Sequence, residues 1–311
     1  MNLNTVSQTN QQMPQALKPG RQSLIELMNQ LEDVWQHTDL ILASLSVEER
    51  KQKHATGWMT FGDLPYHLAY FDRELVAEPI RLGKQLPEDK QQVFKTGREV
   101  DAWNLKRFSE RPAGQSFEED IALMRASREA IRKAVSGLND SDLDAPSFFF
   151  LPGNGWRSIR FALSVSLMHT YAHMVRTRLR LKKQVALPTE ATIHRVLNTL
   201  FGDIMPTLLN REEAQKAPFT AVMAIKGRGG GDWALRVKNA SLVTGEGKPV
   251  DAGLVMTYKD ADAFFRSTLN LQNPIIALIT GNLRIKGINH MSRFGKLFAP
   301  PKPDQVVPIQ A

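Results

Sequence analysis

The chain of 311 residues contains no cysteine. That absence excludes disulfides, thiolate metal sites and a cysteine nucleophile, so any thiol chemistry needs a thiol brought from outside. No stretch approaches the roughly 20 apolar residues of a membrane span, and the Asn-, Gln- and Ser-rich start has no apolar segment of a secretory signal. A cytoplasmic protein is therefore expected. Runs of like charge are lacking too: 40 Lys and Arg against 32 Asp and Glu leave a net charge of +8 spread along the chain, and nucleic acid is not expected as a partner. What is present is the composition of a folded protein, 42% hydrophobic and 23% charged, long enough for two cores of ordinary domain size.

Periodicity divides the chain. Residues 1–20, closed off by Pro14 and Pro19, read as a disordered tail. Apolar residues then recur at three- and four-residue spacing over 21–45, 61–80, 92–109, 117–137 and 158–183, which predicts an all-α region from 21 to 184. Ser116 with Glu119 makes a capping box before the fourth helix, and Gly137 ends it. After one more helix at about 190–210 the pattern changes to strand-like runs, PFTAVMAIKG, DWALRVKN, SLVTGEG and AGLVMTYK, separated by Gly and Asn turns. The short helices DADAFFRSTL and PIIALIT, the strand GNLRIKG and a helix at 289–298 follow, ahead of a proline-rich tail at 301–311. The fold class is therefore multidomain, all-α and then α+β over 188–300. GRGGGDW lacks the Lys-Ser/Thr of a phosphate loop and lies between two strands, so it reads as a hairpin turn. SFFFLPGNGW at 147–156 reads as an apolar loop packed on the helices.

LMHTYAHMV places His169 and His173 four apart on the helix 158–183, beside an expected core stripe of Phe161, Val165, Met168, Ala172, Val175 and Leu179. On the helix 61–80 the stripe is Leu64, Leu68, Phe71 and Leu75, flanked by His67, Tyr70 and Glu74. Flank positions line the mouth of an interhelical crevice, where a polar group is partly buried yet reachable. Two imidazoles at this spacing reach one ion at about 2.0–2.1 Å, and His67 as third ligand leaves a fourth position for water or substrate. HTYAH has Thr170 where H-E-x-x-H needs its general base, which excludes that metalloprotease mechanism. The spacing alone is met equally by half-buried histidines bonded to backbone or carboxylates. His37, His54, His194 and His290 are isolated, and a solvated role is expected for each.

The helical region, with GW(x)8H at 57–67, DAWN at 101–104 and the late H-x-x-x-H, resembles the DinB-like family, in particular its mycothiol-dependent maleylpyruvate isomerase branch. The resemblance implies an up-down four-helix bundle holding a divalent metal, zinc or alternatively nickel, through His67, His169 and His173. That branch carries glutamate where this chain has His169, so the match is closer to the broader family. The run from ALRVKN to GKLF resembles the sterol carrier protein type-two family. This second resemblance implies a five-stranded sheet and helices around an apolar tunnel, lined here by Phe264, Leu269, Leu271, Ile275, Ile276, Ile279, Phe294 and Phe298. Together they imply a metal- and thiol-dependent transferase or isomerase. A low-molecular-weight thiol would attack an electrophilic substrate, with Tyr70, Glu74 and Arg176 handling protons or an anionic group. The alternative is a non-enzymatic carrier of lipid or another apolar ligand, with the bundle as scaffold. A homodimer is compatible with either.

Overall fold

Local signals start the helices. The Ser23 hydroxyl accepts the Glu26 amide while the Glu26 carboxylate accepts the Ser23 amide, and the same reciprocal box opens the helix after Ser116, removing orphan donors where each helix begins. The computed structural model describes residues 23–54, 59–91, 93–94, 96–150 and 155–298; both expected tails, the Gly57–Trp58 pair and residues 151–154 lie outside them.

The helical half runs through α1 (Leu24–Ala43), a single turn α2 (Val47–Arg50), α3 (Leu64–Tyr70), α4 (Glu78–Leu82), α5 (Gly97–Ser109), α6 (Phe117–Val135) and α7 (Ile159–Arg180). The helix expected at 61–80 is interrupted: Phe71–Ala77 between α3 and α4 is a π-helix, and the Glu78 amide donates to the Arg73 carbonyl. Pro79, the second residue of α4, has no amide to offer one turn back, so the ladder shifts register there. The described part of 147–156 is not a plain loop. Strands β1 (Pro146–Phe149) and β2 (Gly155–Ser158) pair antiparallel, and Phe149 and Phe150 pack edge-on against Phe161 and Phe71, as the expected packing on the helices requires.

The rest of the chain forms α8 (Glu190–Thr199), which passes into short π and 3-10 turns where a longer helix was expected, then α9 (Arg211–Lys216) and a five-stranded mixed sheet. Its strands are β3 (Phe219–Ile225), β4 (Gly231–Lys238), β5 (Ser241–Glu246), β6 (Leu254–Tyr258) and β7 (Leu283–Lys286). Their order is β5-β4-β3-β6-β7, with β3 and β6 parallel and the other pairs antiparallel. Helices α10 (Ala261–Thr268), α11 (Pro274–Ile279) and α12 (Met291–Leu297) complete it. The glycine-rich segment is the β3–β4 turn, as the sequence suggests. Gly229 has φ +64° and its position is so close to α8 that an added Cβ would meet Ile193 Cβ at 2.6 Å, a site only glycine fills without strain.

The two halves share one continuous apolar cluster that runs from Leu27 and Trp35 through Leu163 and Val175 to Ile193, Phe264 and Leu297. At the junction Tyr171 packs on Phe265, Arg178 pairs with Asp262, and Asp33 accepts from the Thr189 amide and Thr192 hydroxyl at 2.7 and 2.6 Å. Helix α7 is consequently buried on almost every side. This corrects the single stripe expected for it: Val165, Val175 and Leu179 are buried, but Phe161, Met168 and Ala172 belong to its least covered face. A helix between two layers needs apolar residues all round, which blurs the seven-residue rhythm. No helix among the described residues is long and apolar enough to cross a membrane.

Candidate metal centre

His67 sits on α3, one turn before the π segment, and is 4% exposed. His169 and His173 follow each other by one turn of α7, which packs against that segment. Their rings converge: His169 Nε2 lies 3.2 Å from His67 Nε2 and 3.2 Å from His173 Nε2, and the three residues offer ligand atoms all within 4.8 Å of one another.

Hydrogen bonding sets the ring states. Tyr70 donates its hydroxyl hydrogen to Asn104 Oδ1 at 2.7 Å, so its oxygen is left to accept from His67 Nδ1 at 2.5 Å. That chain puts the His67 proton on Nδ1 and turns a bare Nε2 lone pair toward the other two rings. Phe71 stacks on the His169 ring at 3.8 Å and 14°, which holds its plane. Burial pushes His67 down to about 3 and depresses His169 and His173 well below the usual range, with neighbouring imidazole charges adding to the effect on the latter two. All three are neutral at physiological pH, the form that ligates metals.

The residues fit a divalent cation. Nitrogens bound at about 2.0–2.1 Å in a tetrahedral set stand about 3.3 Å apart, close to the two observed separations. One proton on His169 Nε2 could satisfy either contact but not both together, whereas an ion serves every lone pair. His169 Nδ1 is buried without a hydrogen-bond partner, so only its Nε2 is engaged.

A fourth imidazole completes the cluster and corrects the sequence reading. His54, expected in solvent, is 1% exposed, with its Nε2 3.5 Å from His173 Nδ1 and its ring against Phe61. An antiparallel bridge between Lys53 and Thr60, with the His54 amide on the Met59 carbonyl at 2.8 Å, folds it inward. Burial pushes it down to about 3, helped by the charge of Arg176. No periodicity could have signalled a histidine in such a loop. The other isolated histidines are surface or half-buried; His37 and His194 each face a carboxylate, Asp33 at 3.1 Å and Glu246 at 3.0 Å.

Of the remaining candidates, Tyr70 touches the cluster directly, and burial raises its hydroxyl well above the phenol range. Arg176 is half-buried on the least covered face of α7, following Met168, His169 and Ala172, and its charge acts on both His54 and His173. Glu74 instead pairs with Arg107 at 2.9 Å and Arg73 at 3.0 Å, on the wall of a cavity of about 580 Å³ that also contains Trp103, Phe94 and Phe150. The eight apolar candidates of the C-terminal half differ in burial. Phe264 is core, packed by Phe201, Tyr258 and Phe265. Leu269, Leu271, Phe294 and Phe298 are partly buried against the same cluster, while Ile275, Ile276 and Ile279 are 64%, 51% and 80% exposed on α11.

Comparison with known proteins adds a family likeness. The sequence model of the DinB superfamily matches residues 30–175, a span that includes all four clustered histidines. Among solved structures, the mycothiol-dependent maleylpyruvate isomerase is similar at 12% identity over 77% of this chain and 87% of that one, with a TM-score of 0.44. A point variant of that enzyme gives 0.45 over the same shares. The stereoselective inverting sec-alkylsulfatase Pisa1 from Pseudomonas sp. is similar at 12% identity over 76% of this chain and 34% of that one, with a TM-score of 0.31. No curated protein sequence matches the chain.

Proposed function

We propose that the protein is a metal-dependent enzyme of the thiol-transferase or isomerase type, acting in the cytoplasm on a small electrophilic substrate. The observation that carries this reading is the convergence of three neutral imidazole Nε2 atoms, two of the separations being 3.2 Å. The DinB-superfamily match over the same residues supports it. On this reading α1, α3 with its continuation, α6 and α7 act as an up-down four-helix bundle, and His67, His169 and His173 hold zinc or nickel.

A cation so held supplies positive charge that favours the thiolate form of a low-molecular-weight thiol. The chain has no cysteine of its own, in keeping with a thiol from solution. Tyr70 holds the His67 ring in place and, with its proton on Asn104, leaves Nε2 unprotonated toward the His169 ring. Arg176, beside the cluster on the open face of α7, attracts an anionic substrate. Glu74 holds Arg107 at the adjoining aromatic cavity, where a substrate tail would lie.

Elemental analysis of protein purified without a metal-chelate column tests the reading. Stoichiometric zinc or nickel is expected, lost in His169→Ala, and Tyr70→Phe should weaken affinity about 10–100-fold in competition with a chelator because it frees the His67 ring. Protein free of metal, and unable to take up zinc on reconstitution, would sink the proposal. One observation favours the alternative of an apolar-ligand carrier: α11 presents Ile275, Ile276 and Ile279 outward, as a sterol-carrier-like module would beside its ligand. Lipid found by native mass spectrometry in metal-free protein would select it.

A further inference from the structure

Where α7 begins, a cavity of about 520 Å³ opens between the two halves, lined by Arg157, Arg160 and Arg195 together with Ser158, Ser164 and Asp203. Arg195 comes from α8 and is 6% exposed. Its only hydrogen bond among the described residues runs to Ser164 Oγ at 2.9 Å, and its Nε is buried without an acceptor. No carboxylate among the described residues lies within 4.0 Å of it; Asp203 acts on it only through space. A guanidinium stays charged in a protein and carries five donors, so burying it with one neutral partner is costly unless something else answers it.

The cavity wall adds two further guanidiniums, Arg157 and Arg160, beside two carboxylates, Asp144 and Asp203, so with Arg195 the cations outnumber the anions three to two. Arg160 pairs with Asp144 at 3.4 Å, and that carboxylate is 59% exposed. The amides of Ile159 and Phe161 already serve the Ala145 carbonyl and the Ser158 hydroxyl, so α7 contributes the field of its positive end and not its first donors. Ser158 lies eleven residues before His169, about 16 Å along the helix axis. The cavity is therefore separate from the imidazole cluster.

We propose that this cavity is a second ligand site, which takes the phosphate group of a small molecule between Arg195, Arg160 and Arg157. Guanidiniums arriving from three elements, β2, α7 and α8, suit a doubly charged tetrahedral anion with three free oxygens better than a planar carboxylate. A volume of about 520 Å³, with the half-exposed Trp156 ring on its wall, holds more than the anion alone, so an organic phosphate ester is the expected form.

Isothermal titration calorimetry on the full-length protein tests this with inorganic phosphate, phenyl phosphate and benzoate as probes. Saturable binding of both phosphates is expected, tighter for the ester, with benzoate weakest. Binding should fall at least about tenfold in an Arg157→Gln, Arg160→Gln protein and persist in His169→Ala, which removes the other place where phosphate could bind. Arg195→Met should also lose binding. Inorganic phosphate binding as tightly as the ester would assign the site to the free ion. No saturable binding by the wild type, or binding lost in His169→Ala yet kept in the double variant, would overturn the proposal.

Discussion

A single hydroxyl decides which nitrogen of His67 is available. Tyr70 can donate only one hydrogen, Asn104 accepts it, and the histidine must therefore donate from Nδ1. Spacing made His169 and His173 legible as candidates, because four residues are one helical turn, and His67 was legible from its place beside the apolar stripe of the earlier helix. Asn104 was visible only as the last letter of DAWN, and His54 not at all. Asp72 is likewise silent in the sequence, yet it is buried in the π segment, accepts from the Ser166 hydroxyl at 2.9 Å and has its second oxygen unpartnered. Burial pushes its carboxyl up to about 6. Between the ordinary carboxylate range and 6 the folded protein keeps a proton that the unfolded chain has released, so stability falls as pH rises through that window. The rise of about two units corresponds to about 3 kcal/mol lost above pH 6. Asp72→Asn should remove most of that loss: urea unfolding is expected to show the variant gaining on the wild type by about 2–3 kcal/mol between pH 4 and pH 8. An equal difference at both pH values would mean that Asp72 is ionised without penalty.

At the scale of elements, most boundaries followed from local chemistry. Capping boxes at Ser23 and Ser116 and the Asp260 cap of α10 lie where polar residues precede apolar periodicity. The π segment did not show, since its cause is the register shift before Pro79, and apolar spacing in a π turn passes for ordinary helix. The pairing of β1 with β2 was hidden by a run of aromatics, which serves a packed loop as well as a strand. The β3–β4 turn illustrates how tertiary contact sharpens a local signal. Gly229 needs positive φ, and α8 also crowds it, with Glu190 O 2.8 Å from an added Cβ. Gly229→Ala is therefore expected to cost about 2–4 kcal/mol. Gly114→Ala, at φ +79° with open space around it, should cost only about 1–2 kcal/mol. Chemical denaturation of the two variants compares them directly, and equal losses would show that the turn does not press on α8.

Over the whole molecule the shared core predicts cooperative unfolding, because α7 cannot keep its buried faces if either half melts. Trp35 in α1 and Trp233 in β4, 2% and 1% exposed, report on the two halves. Variants that retain only one of these tryptophans should give coincident fluorescence midpoints in urea; separated midpoints would make the halves independent folding units. The helical first half, the sheet-bearing second half and the capacity for imidazole ligation were written in the sequence, because periodicity, caps and donor types are local properties of the chain. Only the tertiary structure decided that residues 102 positions apart bring two Nε2 atoms to 3.2 Å, that His54 joins them, and that Arg195 is buried without a carboxylate. Each depends on which faces meet when distant helices pack, and no short window of sequence contains that information.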